Sequence, residues 1–102
     1  MSSPAPLSGK QRRQLRALAH DLAPVVMVGR EGVNDAVVAA TDHALTDHEL
    51  IKVRILDSAP QDRTEVGPLL ASRCRAHAVG TIGRVAILYR RHPTEPKVPL
   101  QT

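Results

Sequence analysis

A single aromatic residue, Tyr89, stands among 102 residues, with no Phe and no Trp. Aromatic rings bury the largest areas a core can use, so here Ala, Val, Leu and Ile must fill the interior. Such side chains suit compact layers of helix on sheet, and a hydrophobic share of 42% is enough for one small core. Domains hold on the order of 100–150 residues, so the chain makes one domain and no large multidomain enzyme. The scarcity of rings also argues against a nucleic-acid reader that stacks bases on exposed aromatics.

Fourteen Lys and Arg against ten Asp and Glu leave +4 with the five His uncharged, a balance that favours polyanionic partners. Cys74 is the only cysteine. That excludes a disulfide framework, a CxxC pair and a zinc knuckle, and it fits a reducing compartment. The opening MSSPAPLSGK carries no apolar h-region, and nothing approaches ~18 consecutive apolar residues. A soluble, cytoplasmic protein with no membrane partner is expected.

Residues 1–6 read as a disordered arm. A first helix starts at Ser8, which stands with Gln11 in capping-box spacing, and Leu15, Leu18, Ala19 and Leu22 repeat along one side. Arg12, Arg13 and Arg16 fall on another sector, and the helix ends before Pro24. Pro24–Val28 is an apolar, β-branched run that suits a strand buried on both faces. Asn34 is the N-cap of a second helix, with Val37, Val38, Thr41, Ala44, Leu45 and His48 on one broad face. In Glu49–Ile55 the residues Ile51, Val53 and Ile55 alternate with Lys52 and Arg54, giving a half-exposed strand with a basic outer face.

Asp57–Asp62 is turn-rich, and a third helix covers roughly Thr64–Arg75. Gly67-Pro68 predicts a late start or a kink there, since Pro donates no N–H. Ala78–Ile82 and Val85–Arg90 are strands joined by a tight Gly83-Arg84 turn. From His92 onward three prolines make a loose tail, residues 92–102. The fold class is therefore α/β, an α-β-α-β-α-β-β domain whose first two strands pair in parallel and whose last hairpin completes a mixed four-stranded sheet.

The most informative element is Gly29-Arg30-Glu31-Gly32, between an apolar strand and a helix. Its glycines permit positive φ and close backbone approach, the helix N-terminus suits phosphate oxygens, and Arg30 adds a full cation. KH-type modules clamp a single-stranded backbone with such a GxxG loop; a strand-to-helix turn that simply needs glycine is the plainer alternative. Gly80-Thr81-Ile82-Gly83 matches the same pattern inside a strand, where a structural role is expected. Lys10, Arg12, Arg13 and Arg16 on the first helix, Lys52 and Arg54 on the second strand, and Arg84, Arg90 and Arg91 around the last strand extend a basic surface. Such a surface holds phosphates without reading sequence.

Catalytic patterns are missing. His43 and His48 are not at i, i+4 spacing and no His-Cys-carboxylate cluster surrounds them, so no metal or other cofactor is expected. Cys74, between Arg73 and Arg75, is either a thiol of lowered pKa or an inert core residue. The serines lie in no nucleophile elbow.

With these residues in place, the chain from Leu7 to Arg91 resembles the YhbY family of RNA-binding proteins, made of one CRM domain (chloroplast RNA splicing and ribosome maturation). The resemblance is carried by Leu7-Ser8-Gly9-Lys10-Gln11, Leu18-Ala19-His20, Pro24-Val25-Val26, Gly29-Arg30-Glu31-Gly32, His48-Glu49-Leu50-Ile51-Lys52-Val53, Ile82-Gly83-Arg84 and Leu88-Tyr89-Arg90. It implies a fold similar to the C-terminal domain of translation initiation factor 3, with a KH-like loop. It also implies association with precursors of the large ribosomal subunit as a bacterial assembly factor. Gly29, Arg30, Glu31 and Gly32 would then meet RNA backbone, with the first-helix cations, Lys52, Arg54, Arg84 and Arg90 extending the surface. The expected protein is a monomeric, non-enzymatic binder of ribosomal RNA. The alternatives are a module docking on ribosomal proteins and a small RNA-modifying enzyme using Cys74 or His48.

Overall fold

A computed structural model describes residues 6–100. The expected arm at residues 1–6 lies, apart from Pro6, outside them. Helix α1 spans Gly9–Ala19, and both halves of its capping box form: Ser8 Oγ accepts from the Gln11 N–H and Gln11 Oε1 accepts from the Ser8 N–H, each at 3.0 Å. Strand β1 (Val26–Val28) leads into helix α2 (Asp35–His48), whose cap Asn34 takes the Val37 N–H at 2.9 Å. Strand β2 (Leu50–Ile55), helix α3 (Arg63–Cys74) and strands β3 (His77–Ile82) and β4 (Val85–Tyr89) complete the expected order.

The sheet runs β1-β2-β4-β3, with β1 parallel to β2 and the other pairs antiparallel. Helices α2 and α3 bury Leu45, Val66 and Leu70 against Ile51, Val53, Ile55, Ala86 and Leu88 on one face. Helix α1 covers the other face, where Leu15 and Ala19 meet Leu50, Val79, Ile87 and Tyr89. The sheet is thus the middle of three layers, and the one aromatic side chain is buried and stacked on His77, ring centroids 6.1 Å apart.

Three expectations about the helices and strands need correction. The β1 run is not buried on both faces: it lies at the sheet edge, and α1 stops short of it, so Met27 is 60% exposed. Leu18 and Leu22 also stay 40% exposed because the helix ends at Ala19 and buries only Leu15 and Ala19. Finally, α3 starts at Arg63, ahead of Pro68, without the expected delay. Asp62 holds its first turn, accepting from the Thr64 N–H at 2.9 Å and its hydroxyl at 2.8 Å. The missing Pro68 donor removes one bond from a helix that the buried Gly67 brings close to Ala86.

The chain beyond Tyr89 is not loose as far as Leu100. Glu49, the C-cap of α2, has φ +64 and is 2% exposed. Its carboxylate accepts from the backbone N–H groups of His92, Lys97 and Val98, and Val98 and Leu100 pack beside the α1 cluster. Burial would raise the Glu49 pKa, but those three donors, helped by the His92 charge, hold it below its ordinary value. A carboxyl lowered on folding stabilises above its unfolded pKa and loses that contribution as pH falls through the folded one. We therefore expect the protection of the Lys97 and Val98 amides, measured as exchange relative to the intrinsic rate at each pH, to fall on acidification into that range. Glu49→Ala should cost about 1–2 kcal/mol in urea unfolding, because it removes the acceptor of three part-buried N–H groups; unchanged stability would show that the tail contributes nothing.

Candidate functional site

The loop after β1 is a tight turn. The Gly32 N–H donates to the Gly29 carbonyl at 2.9 Å, which places the exposed Arg30 and Glu31 at the tip. Its two glycines are not equivalent. Gly32 has φ +70, and a Cβ there would lie 2.7 Å from Gln61 Oε1 and 2.9 Å from Pro60 Cγ. Gly29 lacks a positive φ, and its Cβ would meet Leu56 at an ordinary 3.5 Å. The fold thus requires one glycine of the motif. The following helix terminus is partly satisfied by its own chain, since Asn34 takes one N–H and Asp35 adds an anion to the first turn. Glu31 sets a carboxylate next to Arg30, so the turn offers one cation among two nearby anions.

The turn sits at one end of the sheet with the β3–β4 hairpin, both against residues 56–61. Gly29 approaches Leu56 and Ser58, the Ile55 N–H donates to the Arg84 carbonyl, and Arg84 Nε pairs with Asp57 at 2.9 Å. Gly83, at φ +58, opens that two-residue hairpin. Arg63, which pattern reading passed over, also reaches it, donating to the Gly83 carbonyl at 2.9 Å.

The remaining cations divide by what they touch. Arg12 is a staple: its Nη1 donates to the Ala78 carbonyl at 2.7 Å where edge strand β3 carries a bulge. Arg90 is another, lying on the α2/α3 side of the sheet. Its guanidinium bonds Asp42 Oδ1 at 2.6 Å, the Asp42 carbonyl at 3.0 Å, Thr46 Oγ1 at 2.9 Å and the Cys74 carbonyl at 2.9 Å. Lys52 is half-buried and ties β2 to the end of α1 through the His20 carbonyl at 3.1 Å. By contrast, Lys10, Arg13, Arg16, Arg30 and Arg54 are exposed and engage no hydrogen bond or ion pair among the described residues. The structure therefore gathers Arg16, Lys52 and Arg54 on the α1 face and leaves Arg90 out.

The one thiol is withdrawn. Cys74 is buried, its thiol faces the Val38 carbonyl at 3.6 Å, and burial followed by the Asp42 charge raises its pKa. His43 pairs with Asp47 at 3.4 Å on the exposed side of α2. Among the described residues no three His, Cys, Asp or Glu side chains could share a metal ion, and no helix is long and apolar enough to cross a membrane.

Layers, strand order and glycine turn define a class of small α/β domain already seen in another protein. The solution structure of a Staphylococcus aureus protein, described as a candidate RNA-binding protein, matches with a TM-score of 0.80 and 33% identity, covering 94% of this chain and 100% of the other. The model of the CRS1 / YhbY (CRM) domain matches residues 7–90, and the chain belongs to that family. Similar to it are the Bacillus subtilis "Probable RNA-binding protein YqeI", 38% identical over 92% of this chain and 98% of the relative, and a Haemophilus influenzae "RNA-binding protein", 39% identical over 82% and 85%.

The turn and the staples make opposite predictions for stability. Gly32→Ala should cost about 1–3 kcal/mol, since strain and a clash act together, while Gly29→Ala should stay within about 0.5 kcal/mol. Arg90→Ala should lose about 1–3 kcal/mol by stranding its acceptors, whereas Arg30→Ala should leave stability unchanged. Thermal and urea unfolding of the four variants check this ordering.

Proposed function

We propose that this protein binds RNA and, in the cytoplasm, joins precursors of the large ribosomal subunit to assist their assembly. It acts as a monomer and catalyses nothing. The observation that carries the proposal is the segregation of its cations. Arg73 and Arg90, on the α2/α3 side, are paired with Asp35 and Asp42. The exposed Lys10, Arg13, Arg16 and Arg54 keep their charges unpaired among the described residues, as does Arg30 at the turn. Unpaired cations gathered on one side favour a polyanion, and their contacts release its condensed counterions. The names of the relatives support RNA as that polyanion; the resemblance to assembly factors supports ribosomal RNA.

In this mechanism Arg30 and nearby backbone of the turn hold phosphate, and Lys10, Arg13, Arg16 and Arg54 orient the strand. Arg84 contributes less because Asp57 already partners it, while Arg12 and Arg90 serve the fold. With Tyr89 buried, recognition runs through backbone and shape.

Arg30→Glu, and Arg13→Ala with Arg16→Ala, should each weaken single-stranded RNA binding on the order of tenfold at low salt. The dependence of log affinity on log salt should become shallower by about 0.7 for each lost phosphate contact. Fluorescence anisotropy across a salt series measures both, and unchanged affinity and slope would sink the proposal. In a low-magnesium lysate gradient the protein should sediment with the large-subunit precursor; a position only at the top would overturn the ribosomal part.

A further inference from the structure

Helix α1 crosses the sheet from β3 to β2 and leaves one half of that face open. Met27, Arg54, Val85 and Ile82 are register partners in a row across all four strands, so their side chains share the uncovered side. The row starts two residues before Gly29 and spans about 14 Å, three strand spacings of ~4.8 Å. At its ends Met27 and Ile82 are 60% and 61% exposed.

Beside Ile82 the helix overhangs the sheet. Arg16 and His20 above, with Lys52, Ile87, Val85 and Ile82 below, enclose a cleft of about 170 Å³. That is smaller than the ~300–1,000 Å³ clefts that take whole small molecules, and it suits one planar group. The walls are aliphatic on the sheet side and carry two cations and no carboxylate at the rim. Lys52 gives one donor to the His20 carbonyl and keeps two, while Arg16 engages no partner among the described residues.

We propose that this cleft takes an unpaired nucleobase of the bound RNA. Resting on the RNA-binding proposal, this inference adds that the ligand is single-stranded where it crosses the sheet. The strand runs from the glycine turn along the row, its phosphates meeting Arg54, Lys52 and Arg16. One base enters between Arg16 and the Ile82 and Val85 side chains, where guanidinium and aliphatic surface replace the rings the chain lacks. A base inside a duplex is stacked and paired and offers the cleft no face. A protein partner is disfavoured because the apolar row is interrupted by unpaired Arg54 with no acid to answer it.

The test compares the native full chain with Ile82→Ser and Met27→Ser, both exposed and expected to fold, as thermal unfolding checks. The probes are a fluorescent decauridylate, a base-free ribose-phosphate decamer of equal charge and a blunt duplex RNA. Native protein should prefer decauridylate over the base-free decamer by at least about fivefold, the lower end for a base held on protein side chains. It should also prefer decauridylate over the duplex, and the preference over the base-free decamer should fall toward one in Ile82→Ser. Equal binding of decauridylate and base-free decamer by native protein overturns the cleft while leaving RNA binding standing. Discrimination that survives Ile82→Ser places the base elsewhere and overturns the cleft too, and a protein partner lost by either variant from ribonuclease-treated particles assigns the face to protein instead. Failure of native protein to bind any probe overturns the RNA-binding proposal itself.

Discussion

The fold turns on the carboxylate of Glu49. Helix α2 ends and strand β2 begins within one residue, so the chain must reverse direction without a loop. Glu49 does this at φ +64, a conformation that usually belongs to glycine, with its N–H still returning to the Leu45 carbonyl at 2.9 Å. The strain is held by what the residue gathers. Its carbonyl accepts from Arg90, fixing the start of β2 beside the end of β4, and its side chain draws in the backbone of residues 92–98. Glycine would relieve the backbone but abandon three part-buried donors. One residue therefore ties the start of β2 to the end of β4 through its backbone and holds the path of the tail through its carboxylate.

Arg12 and Arg90 play the converse part with positive charge. Each lays a guanidinium over carbonyls that the secondary structure leaves open, at the bulged edge of β3 and at the C-terminus of α3. A guanidinium carries five donors in a rigid fork, which lets one side chain satisfy several acceptors that Lys would leave unmet. Such tasks remove these arginines from any binding surface, so the count of basic residues overstates the charge available to a polyanion.

Order and type of the elements were legible because each has a local cause: the Ser8 capping box, the Asn34 cap, alternation in 51–55 and the glycine-led hairpin. The glycine turn was legible too, as a motif. Pattern could not reveal which strand lies at an edge, since the apolar run at Val25–Val28 reads alike whether neighbours cover it or not. Nor could it sort the arginines, whose roles depend on carbonyls brought close from 16 to 67 residues away in sequence. Glu49 read only as the first residue of the 49–55 strand, and only the returning tail gives its carboxylate partners. The tail read as loose from its prolines, yet prolines also spare the chain donors that a turn around a carboxylate would strand.

The missing rings tie these observations together. A core of small aliphatic residues packs thin layers, and its one ring, Tyr89, is spent filling the space beneath α1 beside His77, where burial and the Arg12 charge pull the imidazole pKa down. Helix α1 buries only Leu15 and Ala19 against the sheet, and half of that face stays open. The uncovered strands present Lys52 and Arg54 between aliphatic neighbours, and the helix edge presents Arg16. With its one ring buried, the chain offers on that open face cations and aliphatic side chains in place of aromatic surface.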